Sequence, residues 1–273
     1  MTHDPEHEPS DLPLEEQLGK IDEGAQLQLS PPTGELLIEH HTSEPPGFTM
    51  ADFVVIFISY FFAIFAAFGV ATAFVSHPDQ QTKHGLNLLI TAIANVFLVG
   101  LYLMRGRLMY KMSWDALGFR LPSWKESWPW LVFFVPVVLL FTNAYVYVLK
   151  LLFAIPAPKQ QIADLLGPHM PLWIRGLAVV LILVFAPLAE ELLYRGVLFK
   201  ALGRMMPMQF AAIVSGLLFG AAHLQAHTII PLAFLGYLLA IAYHKTRSMY
   251  LIIGLHAANN ALAFVSLLLT QGS

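Results

Sequence analysis

The sequence predicts an all-α fold: a polytopic transmembrane bundle of about seven to eight helices behind a polar, acidic N-terminal tail. Three observations predict it. Apolar residues make up 57% of the chain and charged residues 12%, and the mean hydropathy is +0.63, far from the composition of a soluble domain. The apolar residues gather into runs of about 20, the length that crosses a hydrocarbon core. Eleven of the 18 acids lie before Pro45, with Lys20 the one base among them. The net charge of −3 thus combines an acidic tail with a membrane body whose edges are basic. Nothing in it suggests a nucleic-acid partner. Cysteine is absent, which excludes disulfides, thiolate metal sites and a cysteine nucleophile.

Three regions follow: a tail over 1–47, helices and connectors over 48–170, and a second helical block over 171–270. The tail is rich in Pro and Glu without sustained periodicity, which reads as disorder. It has no basic stretch leading into an apolar one, so it does not read as a cleaved signal. Its histidines, His3, His7, His40 and His41, read as solvated tail residues. The first span is expected over 53–75 and the second over 86–104. The basic connector after it contains MSWDALGFRLP, where Trp114 and Leu117 suggest an interfacial segment. The third span is expected over 128–152, with Trp128 and Trp130 in an interface belt. A loop over 155–171 carries a short helix at QQIADLL. The fourth span covers 177–199. Pro187 lies within it and removes the donor to the carbonyl of Leu183, so a bend is expected. Spans over 209–222 and 228–243 are short and either cross in thinned bilayer or form a hairpin turning at LQAH. The last covers 249–269.

Lys and Arg set the orientation. On the tail's side lie Arg105, Arg107, Lys111, Arg120, Lys125, Lys200, Arg204, Lys245 and Arg247, nine in all. On the other lie Lys83, Lys150, Lys159 and Arg175, which is four. The tail is therefore expected in the cytoplasm and the C-terminus outside, in the plasma membrane of the cell. No internal repeat or inverted pair of broken helices is visible.

Chemistry concentrates in PLAEELLYRG. An ionised side chain in hydrocarbon is costly and marks a functional site by default. Glu191 and Arg195, four apart, meet on one helix face and neutralise each other. Glu190 lies about 100° round the helix and needs another partner. His223 ends the run SGLLFGAAH; His256 and Asn260, again four apart, share a face in LHAANN. Each alone is as readily a helix-packing residue. A carboxylate, two imidazoles and a carboxamide on three apolar helices form a costly set to bury without use. Gly216 and Gly220, with the alanines around both histidines, let these helices approach. A carboxylate beside an imidazole can take a proton from water, and an imidazole with a carboxamide can donate to a developing oxyanion. That is amide hydrolysis by activated water. Two His and one Glu are also a zinc ligand set, so a metal-dependent variant stays open. His223 and His227 form HxxxH, but position 224 is Leu rather than the Glu of HExxH, and His227 reads as a loop residue. Ser215 has no base beside it, and GxSxG is absent.

EELLYR (Glu190, Glu191, Arg195), FGAAH (Phe219, His223) and HAANN (His256, Asn260) occur in order. They resemble the motifs of the CPBP family, the CAAX proteases and bacteriocin-processing enzymes that include type II CAAX prenyl proteases. The resemblance covers 177–269 and implies an intramembrane endopeptidase acting on membrane-associated proteins or peptides. It implies that Glu190 activates water with His223, that His256 and Asn260 stabilise the oxyanion, and that Glu191 and Arg195 hold the geometry. Members are described both as metalloproteases and as glutamate-dependent, so zinc stays open. The competing classes are a non-catalytic binding or bacteriocin-immunity protein of the same fold, and a transporter using these groups as a proton relay.

Overall fold

The computed structural model describes residues 25–29, 36–40, 47–75, 78–153, 165–167 and 169–271. The chain divides into two compact units, 1–46 and 47–273. In the first, β1 (Ala25–Leu29) pairs antiparallel with β2 (Leu36–His40), Ala25 opposite His40 and Leu29 opposite Leu36. These ten residues lie within the stretch that the composition reads as disordered. AQLQL alternates apolar and polar with a period of two, and the six residues between the strands include Pro31, Pro32 and Gly34. The rest of the expected disorder falls outside the described residues.

Among the described residues, the regular elements of the second unit are all helices. Its elements are α1 (Met50–Phe74), α2 (Gln80–Met109), α3 (Trp114–Leu117), α4 (Trp124–Phe153), α5 (Leu172–Gly203), α6 (Met208–Ala221), α7 (Ile229–Thr246) and α8 (Met249–Gln271). Among the described residues, α1, α2, α4, α5, α7 and α8 are long and apolar enough to cross a membrane, and α6 is shorter. At a rise of about 1.5 Å per residue, 14 residues reach about 21 Å, against a hydrocarbon core of about 30 Å. The chain is an integral membrane protein. The helix expected at QQIADLL lies largely outside the described residues.

Helix α5 is the hub, touching α1, α2, α6, α7 and α8. Small residues allow this. A Cβ on Gly196 would sit 2.7 Å from the Tyr102 ring on α2. A Cβ on Gly216 would meet the Ala233 carbonyl at 2.6 Å, and one on Gly220 the Ile229 carbonyl at 2.4 Å. The GxxxG of α6 therefore lies backbone to backbone against α7, and the two close as a hairpin.

Three local devices fix the surrounding helices. Thr49 and Asp52 form a reciprocal capping box at the start of α1. The buried Asp52 also takes Arg105 at the far end of α2 and the Tyr110 hydroxyl, tying α1 to α2. The connector expected at the interface forms the single turn α3. Trp114 is exposed there, but Leu117 is fully buried and its carbonyl accepts from the Tyr102 hydroxyl at 2.7 Å. Leu117 is thus a core anchor rather than a lipid-facing residue. Lys200 caps the same turn through the Ala116 carbonyl at 2.7 Å.

Pro187 acts through register. Residues Leu181–Phe185 are π-helical, and the N–H of Ala186 donates to the Leu181 carbonyl, five residues back. Helix α5 then runs on as one span through a second π segment, Leu192–Phe199. In the i→i+5 register the carbonyl that faces the proline nitrogen is that of Ile182, not Leu183. The extra residue in the turn accommodates the ring and moves the orphan acceptor by one position.

Candidate active site

Glu190 and Glu191 lie at the middle of α5, between its two π segments. Four residues nearly close a turn in either register, so Glu191 and Arg195 keep one face. The pair is fully buried, with Arg195 Nη1 donating to Glu191 Oε1 at 2.8 Å. Arg195 Nη2 donates to the Gly236 carbonyl of α7 at 2.8 Å. A Cβ at Gly236 would stand 3.1 Å from that nitrogen, so the glycine makes room for the guanidinium. The Phe219 ring of α6 lies 4.8 Å from the guanidinium carbon, a cation–π contact that supports a charge with little water.

His256 reaches in from α8. Its Nδ1 is 2.8 Å from Glu191 Oε1 and its Nε2 is 3.7 Å from Glu190 Oε2. A carboxylate held by Arg195 is ionised and only accepts, so Nδ1 carries the proton and Nε2 faces Glu190. The Phe219 ring packs edge-on against both His223 and His256, with centroids 5.0 and 5.7 Å apart. His223 Nδ1 is 2.9 Å from the Phe219 carbonyl, which also only accepts. A neutral His223 therefore presents an unprotonated Nε2.

Glu190 has a different environment from its neighbour. Its side chain is 31% exposed, whereas that of Glu191 is sealed. Glu190 and His223 line one cavity of about 230 Å³, together with Phe57 and Tyr60 of α1 and Asn95 of α2. Tyr60 and Asn95 did not stand out in the sequence. The available signal was the carboxamide of Asn95 within the apolar run of α2, which is read on its own as interhelical packing.

The other expected residues are placed as follows. Asn260 Nδ2 donates to the Ile182 carbonyl at 3.0 Å, the acceptor that Pro187 and the π register leave without a backbone donor. His227 lies in the turn between α6 and α7. The hydroxyl of Ser215 is buried and donates to the Tyr194 carbonyl at 3.3 Å, with no base at hand.

Residues 172–262 match the family described as type II CAAX prenyl endopeptidase Rce1-like. This block is a domain of the CPBP/CAAX protease family. It begins at the first residue of α5 and takes in α6, α7 and the part of α8 that bears His256 and Asn260. Helices α1 to α4, with the Tyr60 and Asn95 wall of the cavity, lie outside the CAAX protease match. The curated proteins and the solved structures compared with the chain gave no match.

A resident zinc ion does not fit the site as arranged. Among the described residues, no group of three His, Asp or Glu side chains converges to hold a metal.

Proposed function

We propose that this CAAX protease-like membrane protein is an intramembrane endopeptidase that hydrolyses peptide bonds of membrane-associated proteins or peptides with water activated by Glu190. The observation that carries this reading is the division of labour between adjacent carboxylates. Glu191 is buried and committed to Arg195 and His256, while Glu190 opens into the cavity beside His223.

In this reading Glu190 accepts a proton as a cavity water attacks the scissile carbonyl, and His223 Nε2 accepts the water's second hydrogen bond. The C–N bond then breaks and the proton on Glu190 passes to the leaving amine. Nε2 of His256 stands beside Glu190 and can accept from it once it has taken the proton, while Glu191, itself held by Arg195, fixes the imidazole through Nδ1. Asn260 supports the same centre through the backbone of α5. We further propose that the tail is cytoplasmic and the protein resides in the plasma membrane, on the strength of the basic connectors.

Glu190→Gln keeps shape and hydrogen-bonding capacity but removes the base. Purified full-length protein in detergent should cleave an internally quenched apolar peptide, and the variant should lose about 10²–10⁴-fold in rate with unchanged thermal unfolding. Activity near wild type in the variant would remove Glu190 from the role. Absence of cleavage by wild type across a library of such peptides would favour the non-catalytic alternative.

A further inference from the structure

The wall of the cavity opposite α5 is built by α1 and α2, which lie outside the matched domain. Two polar side chains stand in that wall. Asn95 is 4% exposed, and its Oδ1 accepts from the Tyr60 hydroxyl at 3.1 Å. Both line the cavity that holds Glu190 and His223. The amide nitrogen of Asn95, with two donors, makes no hydrogen bond among the described residues.

Interhelical packing accounts for half of this arrangement. A Tyr–Asn bond between α1 and α2 is ordinary membrane glue, but it occupies only the oxygen end of an amide that lines the cavity. Here the tyrosine holds the oxygen end of the amide, so the nitrogen end has no protein partner. A donor fixed in direction and left unpaired in the cavity of a carboxylate is arranged for an acceptor that arrives later. The acceptor that peptide hydrolysis brings there is a carbonyl oxygen, which becomes negatively charged as water adds. The carboxamide of Asn260, by contrast, is already donating to Ile182.

We propose that Asn95 is a catalytic residue that donates through Nδ2 to the scissile carbonyl as it becomes an oxyanion, and that Tyr60 is the positioning residue that sets its amide. The assignment rests on the peptidase reading above and extends the site to helices that the family match does not include.

The test uses full-length protein in detergent micelles and internally quenched apolar peptides. Asn95→Leu keeps size and suits a membrane helix. It should lower kcat by about 10²–10³-fold, with KM changed less than about threefold. Tyr60→Phe leaves the donor in place but frees the amide to rotate, and should lower kcat by about tenfold. Asn95→Leu with Tyr60→Phe removes both partners, so no polar group is orphaned and folding is protected. It should match Asn95→Leu in kcat and wild type in melting temperature. A packing role predicts the reverse: lost melting temperature in each single variant and near wild-type kcat in the double. Wild-type cleavage with kcat of the double variant within about twofold overturns the assignment and leaves the peptidase reading standing. Absence of wild-type cleavage across the library overturns both.

Discussion

Removing either member of the Glu191–Arg195 pair should destabilise the protein, and the two losses should be unequal and far from additive. Both side chains are fully buried, so a single deletion leaves a charge without its counterion, at a cost of about 3–5 kcal/mol. The orphans differ. After Glu191→Leu, Arg195 cannot shed its proton and keeps the Gly236 carbonyl and the Phe219 and Tyr194 rings, none of them an anion. After Arg195→Leu, Glu191 retains His256 at 2.8 Å and can become neutral by protonation. Glu191→Leu should therefore be the costlier change. The double change Glu191→Leu with Arg195→Leu removes both charges. Gly236 lies within α7 and keeps its intrahelical environment, so the main residual is the His256 Nδ1–H without its acceptor, about 1–3 kcal/mol. The sum of the singles is about 6–10 kcal/mol, so the double should lie well below it, with a coupling of about 3 kcal/mol or more. Equilibrium unfolding in mixed detergent micelles measures all three. Losses additive to within about 0.5 kcal/mol would show that the two side chains act independently, and the separation of Glu190 from Glu191 would lose its basis.

Further outcomes follow from the same geometry. Asn260→Leu leaves the Ile182 carbonyl without a donor and should cost about 1–3 kcal/mol; with Pro187→Ala, which restores an N–H at that position, most of the loss should disappear in the same unfolding measurement. Because no group of three His, Asp or Glu side chains among the described residues is placed to hold a metal, dialysis against 1,10-phenanthroline should leave peptide cleavage unchanged, and loss of activity restored by zinc would require a different arrangement of His223 and His256. Protease shaving of sealed, oriented vesicles should remove the tail only from the cytoplasmic face and leave peptidase activity intact; removal from the outer face would reverse the topology inferred from Lys and Arg.

Much was legible in the sequence because hydrophobic run length and helical spacing are local properties. Apolar runs of about 20 residues mark the long helices, and the four-residue spacing pairs Glu191 with Arg195. The three motifs also delimit the region that matches the CAAX protease family. Polar side chains within apolar runs are visible one at a time, and their cost in hydrocarbon singles them out without a structure.

Only the tertiary structure decided what each of them faces. His256 lies 65 positions from Glu191, and nothing in LHAANN says that one imidazole bridges two carboxylates. Asn260 shares a face with His256, yet it serves a backbone acceptor whose identity depends on the π register before Pro187. Leu117, apolar in a connector, became a core anchor because Gly106 and Tyr102 of α2 receive it. Tyr60 and Asn95 stand on helices whose sequences read as ordinary spans, and they acquire meaning only because α1 and α2 pack against α5. Local spacing reports which residues share a face of one helix, whereas the partner of that face is set by how separate helices pack, through contacts between residues distant in the chain.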